Sequence, residues 1–211
     1  INTALPFSLF AYASLESSSN MLSILNGTTA IMAVVISTIW LKIRLNFFQI
    51  MGVFIGLFGI VVLANPDNVY ISMKATIFCL SAAFCYALSA NYIQKFAYKT
   101  NTIVLIGWSL VIASVLLLPI TFFNLPSQFP SNNVIFSILW LGVISTGVAF
   151  LGYVRLIEKV GAVKTATVAY FIPVFGVIWG YVFLGEPITL QILIGMILIL
   201  IGIVFTNKRY D

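Results

Sequence analysis

Histidine is absent from the 211 residues, acidic side chains number five, and cysteines two. Without imidazole there are no histidine metal ligands, no histidine general base, and no Ser/His/Asp or Cys/His triad in this stretch of chain. A hydrolase loses its main tool, and neither paired aspartates nor an activated nucleophile replaces it, so no enzyme, no cofactor and no metal is expected. Cys79 and Cys85 lie six positions apart in one apolar run. On a helix they point in different directions and cannot bridge each other, which leaves them as packing residues. Charge is scarcer still, 7% of residues against roughly 25% in soluble domains. That excludes most soluble folds. The net charge of +5 does not read as a nucleic-acid footprint, because no basic cluster is interleaved with aromatics. The chain opens on Ile1 and runs almost at once into apolar sequence, as expected of a truncated chain rather than one with a cleaved signal peptide.

What is present is apolar: 62% of residues are hydrophobic, and the few charges gather in short breaks between long apolar runs. The runs cover about 3–15, 21–41, 47–64, 75–93, 102–123, 134–154, 165–184 and 189–206. At 1.5 Å per residue, about 18–22 helical residues span roughly 27–33 Å, close to the thickness of a bilayer's hydrocarbon core. The last seven runs are therefore expected to cross, and the first to be the end of a helix begun upstream. Strands of a membrane barrel would be half as long and would alternate. The fold class is all-α, a polytopic membrane helical bundle.

Loop charges test this arrangement independently of hydrophobicity. If all eight runs cross, Lys42, Arg44, Lys95, Lys99, Arg155, Lys159, Lys164, Lys208 and Arg209 fall on one side, and only Lys74 falls on the other. That is the positive-inside pattern, which places the carboxyl terminus in the cytoplasm of a cell inner-membrane protein. Glu16, Asp67 and Glu186 are then outside, and Tyr70 and Tyr98 read as interfacial anchors.

The chain also repeats itself. Gly195 follows Gly52, Gly202 follows Gly59, and Leu184 follows Leu41 at one constant offset, 143, and Gly59-Ile60-Val61 falls on Gly202-Ile203-Val204. The second and third spans thus align with the seventh and eighth. An odd shift of five spans turns one copy upside down relative to the other. Inverted-topology repeats are the architecture of many secondary transporters, with the substrate site near the midplane. The second copy is preceded by two spans that the first lacks, so two more helices are expected upstream, making ten, with eight visible here.

Gly161 through Ala166, Pro173-Val174-Phe175, Leu184-Gly185-Glu186-Pro187-Ile188-Thr189 and Gly195 through Ile203 together resemble the carboxyl-terminal EamA-type repeat of the drug/metabolite transporter superfamily. Ala4 to Leu63 resembles the tail of the amino-terminal repeat. The resemblance implies a division at 1–66 and 70–207, two inverted five-helix repeats, an inner-membrane location, and export or exchange of small molecules. Two departures stand out: Lys42-Ile43-Arg44 replaces Gly185-Glu186-Pro187, and Ala30 replaces Pro173. The first copy should therefore be less kinked than the second.

In this family the cavity is lined by helices matching the first, second, fourth, sixth and seventh spans here. Polar or aromatic groups at mid-span are costly in lipid and tend to face a cavity or another helix. The substrate-binding candidates on that basis are Tyr12, Asn26, Thr28, Tyr86, Ser89, Thr146, Tyr153, Tyr170 and Pro173, with Asn26 and Tyr170 falling one position apart at the 143 offset. Pro173 is the expected hinge, eased by Gly176 and Gly180. Gly52, Gly56, Gly59, Gly195 and Gly202 are read as helix-packing residues. No ionisable side chain sits clearly mid-membrane, so the carrier is expected to run down substrate gradients or to hold its coupling residue in the upstream helices. The expected partners are a small-molecule substrate and the lipid bilayer, with a homodimer left open. The alternative function is a non-transporting membrane scaffold or receptor on the same fold.

Overall fold

The computed structural model describes residues 2–42, 44–63, 72–96, 101–125, 128–160 and 168–206. Among them are helices and no β-strand: α1 (Ala4–Ser14), α2 (Ser19–Trp40), α3 (Phe47–Leu63), α4 (Met73–Phe96), α5 (Thr102–Phe123), α6 (Asn132–Leu139), a π-helical segment (Trp140–Val148), α7 (Ala149–Val160), α8 (Val168–Leu184) and α9 (Leu190–Thr206). Four helical stretches are long and apolar enough to cross a bilayer, at 19–40, 73–96, 103–123 and 132–152. Helices α3, α8 and α9 have 17 residues each, about 25 Å, which is the short limit for a span. They are a little shorter than the apolar runs that announce them. Asp67, Tyr70, Tyr98, Lys99, Gly161–Ala166 and Lys208–Arg209 lie outside the described residues.

The chain divides into two units. The first, residues 1–98 and 168–211, holds α1–α4, α8 and α9. Its core is Ala13, Met21, Ile24, Leu25, Ile31, Leu63, Cys79, Val177, Ile199 and Ile203. Large apolar side chains also cover the outside: Phe54, Phe58 and Val61 on α3, and the ladder Phe171, Phe175, Trp179, Phe183 on α8, are all exposed. Such a surface is at home in acyl chains rather than water. The second unit, residues 99–167, contains α5 and the helical run through α6, the π segment and α7. There the stretch Gly142-Val143-Ile144-Ser145-Thr146-Gly147 mixes glycine with β-branched residues, which weakens the α register. The widened turn shows in the Thr146 hydroxyl, which donates to the Leu141 carbonyl five residues back at 2.8 Å.

Helix ends in lipid need partners for their free amides, and the sequence supplies them locally. Asn46 and Gln49 cap α3 reciprocally: the Asn46 amide donates to Gln49 Oε1 at 3.0 Å and the Gln49 amide to Asn46 Oδ1 at 2.8 Å. Asn101 accepts from Ile103 and Val104, Thr189 from Ile192, and Ser72 from Ala75.

Helices α3 and α9 run antiparallel in close contact. A Cβ on Gly52 would lie 2.7 Å from the Gly202 carbonyl oxygen and the Thr206 nitrogen. One on Gly202 would lie 2.8 Å from Gly52 O and from the Gly56 backbone, and one on Gly59 2.9 Å from Ile199; Gly195 abuts Leu63. Only glycine lets two backbones approach this closely. Each end of the pair carries a glutamine clasp, with Gln49 Nε2 donating to the Thr206 carbonyl at 3.1 Å and Gln191 Nε2 to the Val62 carbonyl at 2.5 Å.

The two ends of this unit differ chemically. At one end Lys74 pairs with Glu16 at 2.5 Å and Ser72 Oγ donates to Glu16 at 2.9 Å. The hydrogen bond from Lys74, aided by that from Ser72 and by the ammonium charge, holds the Glu16 carboxyl below its usual range. Glu186 lies at the same end, against the start of α2. At the other end Lys95 Nζ stands 5.3 Å from the Trp40 ring centroid and 5.3 Å from that of Phe96.

Two connections share one backbone feature. Lys42, after α2, and Gly185, after α8, both take left-handed φ values, 55° and 65°. Glycine adopts this at no steric cost, whereas lysine does not. Lys42→Gly is expected to stabilise the protein by about 0.5–1 kcal/mol, seen as a raised midpoint in thermal unfolding of the full-length protein.

Candidate functional site

Helix α2 carries Asn20, Ser23, Asn26, Thr28 and Thr29 in its first half, a group of polar side chains on a largely apolar helix. It packs against α4 on one flank and against α8 and α9 on another. Three of its residues meet α8 in order: Gly27 faces the Pro173 ring, Ser23 lies on Gly176, and Asn20 lies on Gly180. Pro173 and Gly180 are buried. The small residues after Pro173 thus form notches that receive α2. Sequence reasoning assigned Gly176 and Gly180 to bending, because their partners sit on a helix far off in the chain and no local pattern names them.

The candidates on α1 and α4 pair through their rings. Tyr86, half-buried, stacks on Phe10 at 6.3 Å, and Tyr12, exposed, lies 6.3 Å from Phe78. Thr28 is fully buried and its hydroxyl donates to the Leu25 carbonyl of its own helix at 2.6 Å. Asn26 is half-buried, with Oδ1 accepting from Thr29 at 3.5 Å. Ser89 is buried on α4. The structure therefore brings Tyr12, Asn26, Thr28, Tyr86, Ser89 and Pro173 into one unit. Thr146 belongs to the other unit, where it is bonded within its own helix. The side chains of Tyr153 and Tyr170 lie outside the described residues.

Three polar groups were not among the candidates. Asn91, buried on α4, donates from Nδ2 to the Ala33 carbonyl of α2 at 3.0 Å and to Ala87 at 2.9 Å, while its Oδ1 has no partner. The mid-span criterion passes it over because it lies near the end of its apolar run. Asn20 is completely buried, and neither Nδ2 nor Oδ1 has a partner. Glu186 Oε1 accepts from the Ser19 amide at 2.6 Å and Oε2 from the Asn20 amide at 2.8 Å. Such an arrangement can present amide and hydroxyl groups to a polar solute, and among the described residues it pairs no nucleophile with a base.

The sequence profile of the EamA-like transporter family matches residues 1–65 and 73–208. The chain belongs to that family. Among relatives of this EamA-family chain, an uncharacterized transporter of Archaeoglobus fulgidus is 29% identical over 194 residues, covering 91% of the chain and 69% of the relative. The uncharacterized transporter YoaV of Bacillus subtilis is 29% identical over 195 residues, covering 90% and 66%. The uncharacterized inner membrane transporter YicL of Salmonella typhimurium is 25% identical over 153 residues, covering 72% and 51%. The chain thus spans between half and about two thirds of the length of these relatives. No solved structure matches it. Family and helices together make this EamA-family chain an integral membrane protein of the transporter class.

Proposed function

We propose that the protein is a secondary carrier of small organic metabolites, working by alternating access between two inverted repeats that divide at 1–66 and 70–207. In this reading it resides in the cell inner membrane with its carboxyl terminus in the cytoplasm, so the end bearing Glu16, Lys74 and Glu186 faces outward. The observation that supports it best is the way α3 meets α9. The contacts pair 52 with 206, 56 with 202, 59 with 199 and 63 with 195. Exchanging the two helices through the 143 offset turns the Gly56/Gly202 contact into Gly59/Ile199, and Gly52/Thr206 into Leu63/Gly195. The pair maps onto itself, as two inverted copies must around a two-fold axis lying in the membrane plane. The left-handed residues Lys42 and Gly185 stand at the same offset.

The test is metabolite profiling of cells with and without the full-length protein, followed by counterflow in proteoliposomes with whatever accumulates. A saturable, exchangeable flux is expected. Reporter fusions should place Arg44 and Glu186 in opposite compartments; finding both in one would end the reading. A scaffold or receptor on the same fold is distinguished by Asn26→Leu and Tyr170→Leu, which should lower flux with insertion unchanged in a carrier and leave a scaffold indifferent.

A further inference from the structure

We propose that Glu186 is a positioning residue for transport, a latch that holds the outer ends of α2 and α8 together, and that it acts at one face of the membrane only. This rests on the carrier reading above. Gly185, at φ 65°, ends α8, its amide donating to the Tyr181 carbonyl at 3.2 Å while the Glu186 amide donates to Gly180 at 3.1 Å. The turn aims the Glu186 carboxylate at the start of α2, where the first amides have no partner within the helix and the helix dipole is positive. Ser19 and Asn20 each donate to one carboxylate oxygen, and the next amide, Met21, is taken by Ser18 Oγ at 3.4 Å. A single side chain from the α8–α9 hairpin thus closes the end of α2.

Behind the latch the interface holds one polar group without a partner. Asn20, Ser23 and Gly27 lie on Gly180, Gly176 and Pro173, so at two of these three points α8 offers only glycine, while the Pro173 ring and the buried Val177 supply its side-chain contact. Asn20 sits in that contact with its whole amide buried and unbonded. Parting the helices gives that amide water or a solute to bond, so the interior of the contact opposes closure. The charged clasp at its tip is what offsets this. At the 143 offset Glu186 falls on Ile43, which carries no carboxylate, so the sequence of the first repeat does not repeat this acceptor at that position. The clasp at the outer end therefore holds the empty carrier closed to the outside.

The experiment uses the full-length protein with Cys79 and Cys85 replaced by alanine and Asn20→Cys introduced, its labelling by a membrane-impermeant maleimide being timed in spheroplasts. Asn20 donates to the latch through its backbone, so the substitution leaves the clasp intact. Glu186→Ala is expected to speed labelling about tenfold or more, as two charge-assisted hydrogen bonds are lost. Gln49→Ala, which breaks the clasp to Thr206 at the opposite end, is expected to leave the rate unchanged. An unchanged rate in Glu186→Ala, or an equal rise in Gln49→Ala, overturns the latch. Should Glu186→Ala fail to insert, Glu186→Gln, which keeps one acceptor oxygen and loses the charge, decides: faster labelling supports the latch, and an unchanged rate overturns it. Labelling that behaves as expected in a protein without solute flux removes the carrier reading and leaves the latch standing.

Discussion

Gly202→Val is expected to destabilise the protein by about 3 kcal/mol, a fall in thermal midpoint of roughly 6–12 °C for a chain of this size. The reason lies in what the new side chain would meet. A Cβ at 202 would stand 2.8 Å from the Gly52 carbonyl oxygen, the Gly56 Cα and the Gly56 nitrogen, all backbone atoms of α3. Backbone cannot rotate aside, so α3 and α9 must separate. Separation also stretches both glutamine clasps, Gln49 to Thr206 and Gln191 to Val62. Gly56→Ala provides the contrast. Its Cβ would collide with Cδ1 of Ile31, the tip of a side chain on α2, and the Gly202 Cα stays 3.9 Å away. Adding Ile31→Val removes the offending atom and should restore stability to within about 1 kcal/mol of the parent. No side-chain substitution should rescue Gly202→Val. Thermal melts of the parent and the three purified variants in one detergent measure this, and a Gly202→Val protein as stable as its parent would show that the two backbones are not in contact.

The glycines of that interface are visible in the sequence as a spacing that recurs at the 143 offset, and the helices as apolar runs. Legibility ended where the determining contact is distant in the chain. Nothing around Glu186 says that its carboxylate closes a helix beginning 167 residues earlier, because an acidic residue beside proline reads equally well as a solvated turn. Gly176 and Gly180 follow a proline, so local reasoning favours bending, whereas their role is fixed by Ser23 and Asn20 on another helix. Asn20 has no sequence signal beyond the Ser18 cap beside it. The π segment at 140–148 is hidden for a different reason: hydropathy does not distinguish hydrogen bonds to the fourth residue from those to the fifth. The left-handed Lys42 was legible only in retrospect, since its counterpart in the second copy is a glycine and lysine gives no hint of that conformation.

Gly176→Ala is expected to destabilise the protein by about 2 kcal/mol and to be rescued by Ser23→Gly but not by Ser23→Ala. An added Cβ at 176 would occupy the space of both Oγ and Cβ of Ser23, with the Ser23 Cα 3.6 Å away. Removing the hydroxyl alone leaves the β-carbon in the way; removing both moves the side chain from one helix to the other and keeps the volume of the contact. The Ser23 hydroxyl donates to the Asn20 carbonyl of its own helix at 2.8 Å, so its loss deprives α8 of no bond. The cycle over the two sites should therefore show a coupling of about 1–2 kcal/mol. The same four proteins bear on function. If α2 and α8 part and rejoin as one side opens, Gly176→Ala should lower flux more than its stability loss explains, and Ser23→Gly should return both. Stability restored without flux would mean that the contact serves the fold alone, with the moving surface elsewhere.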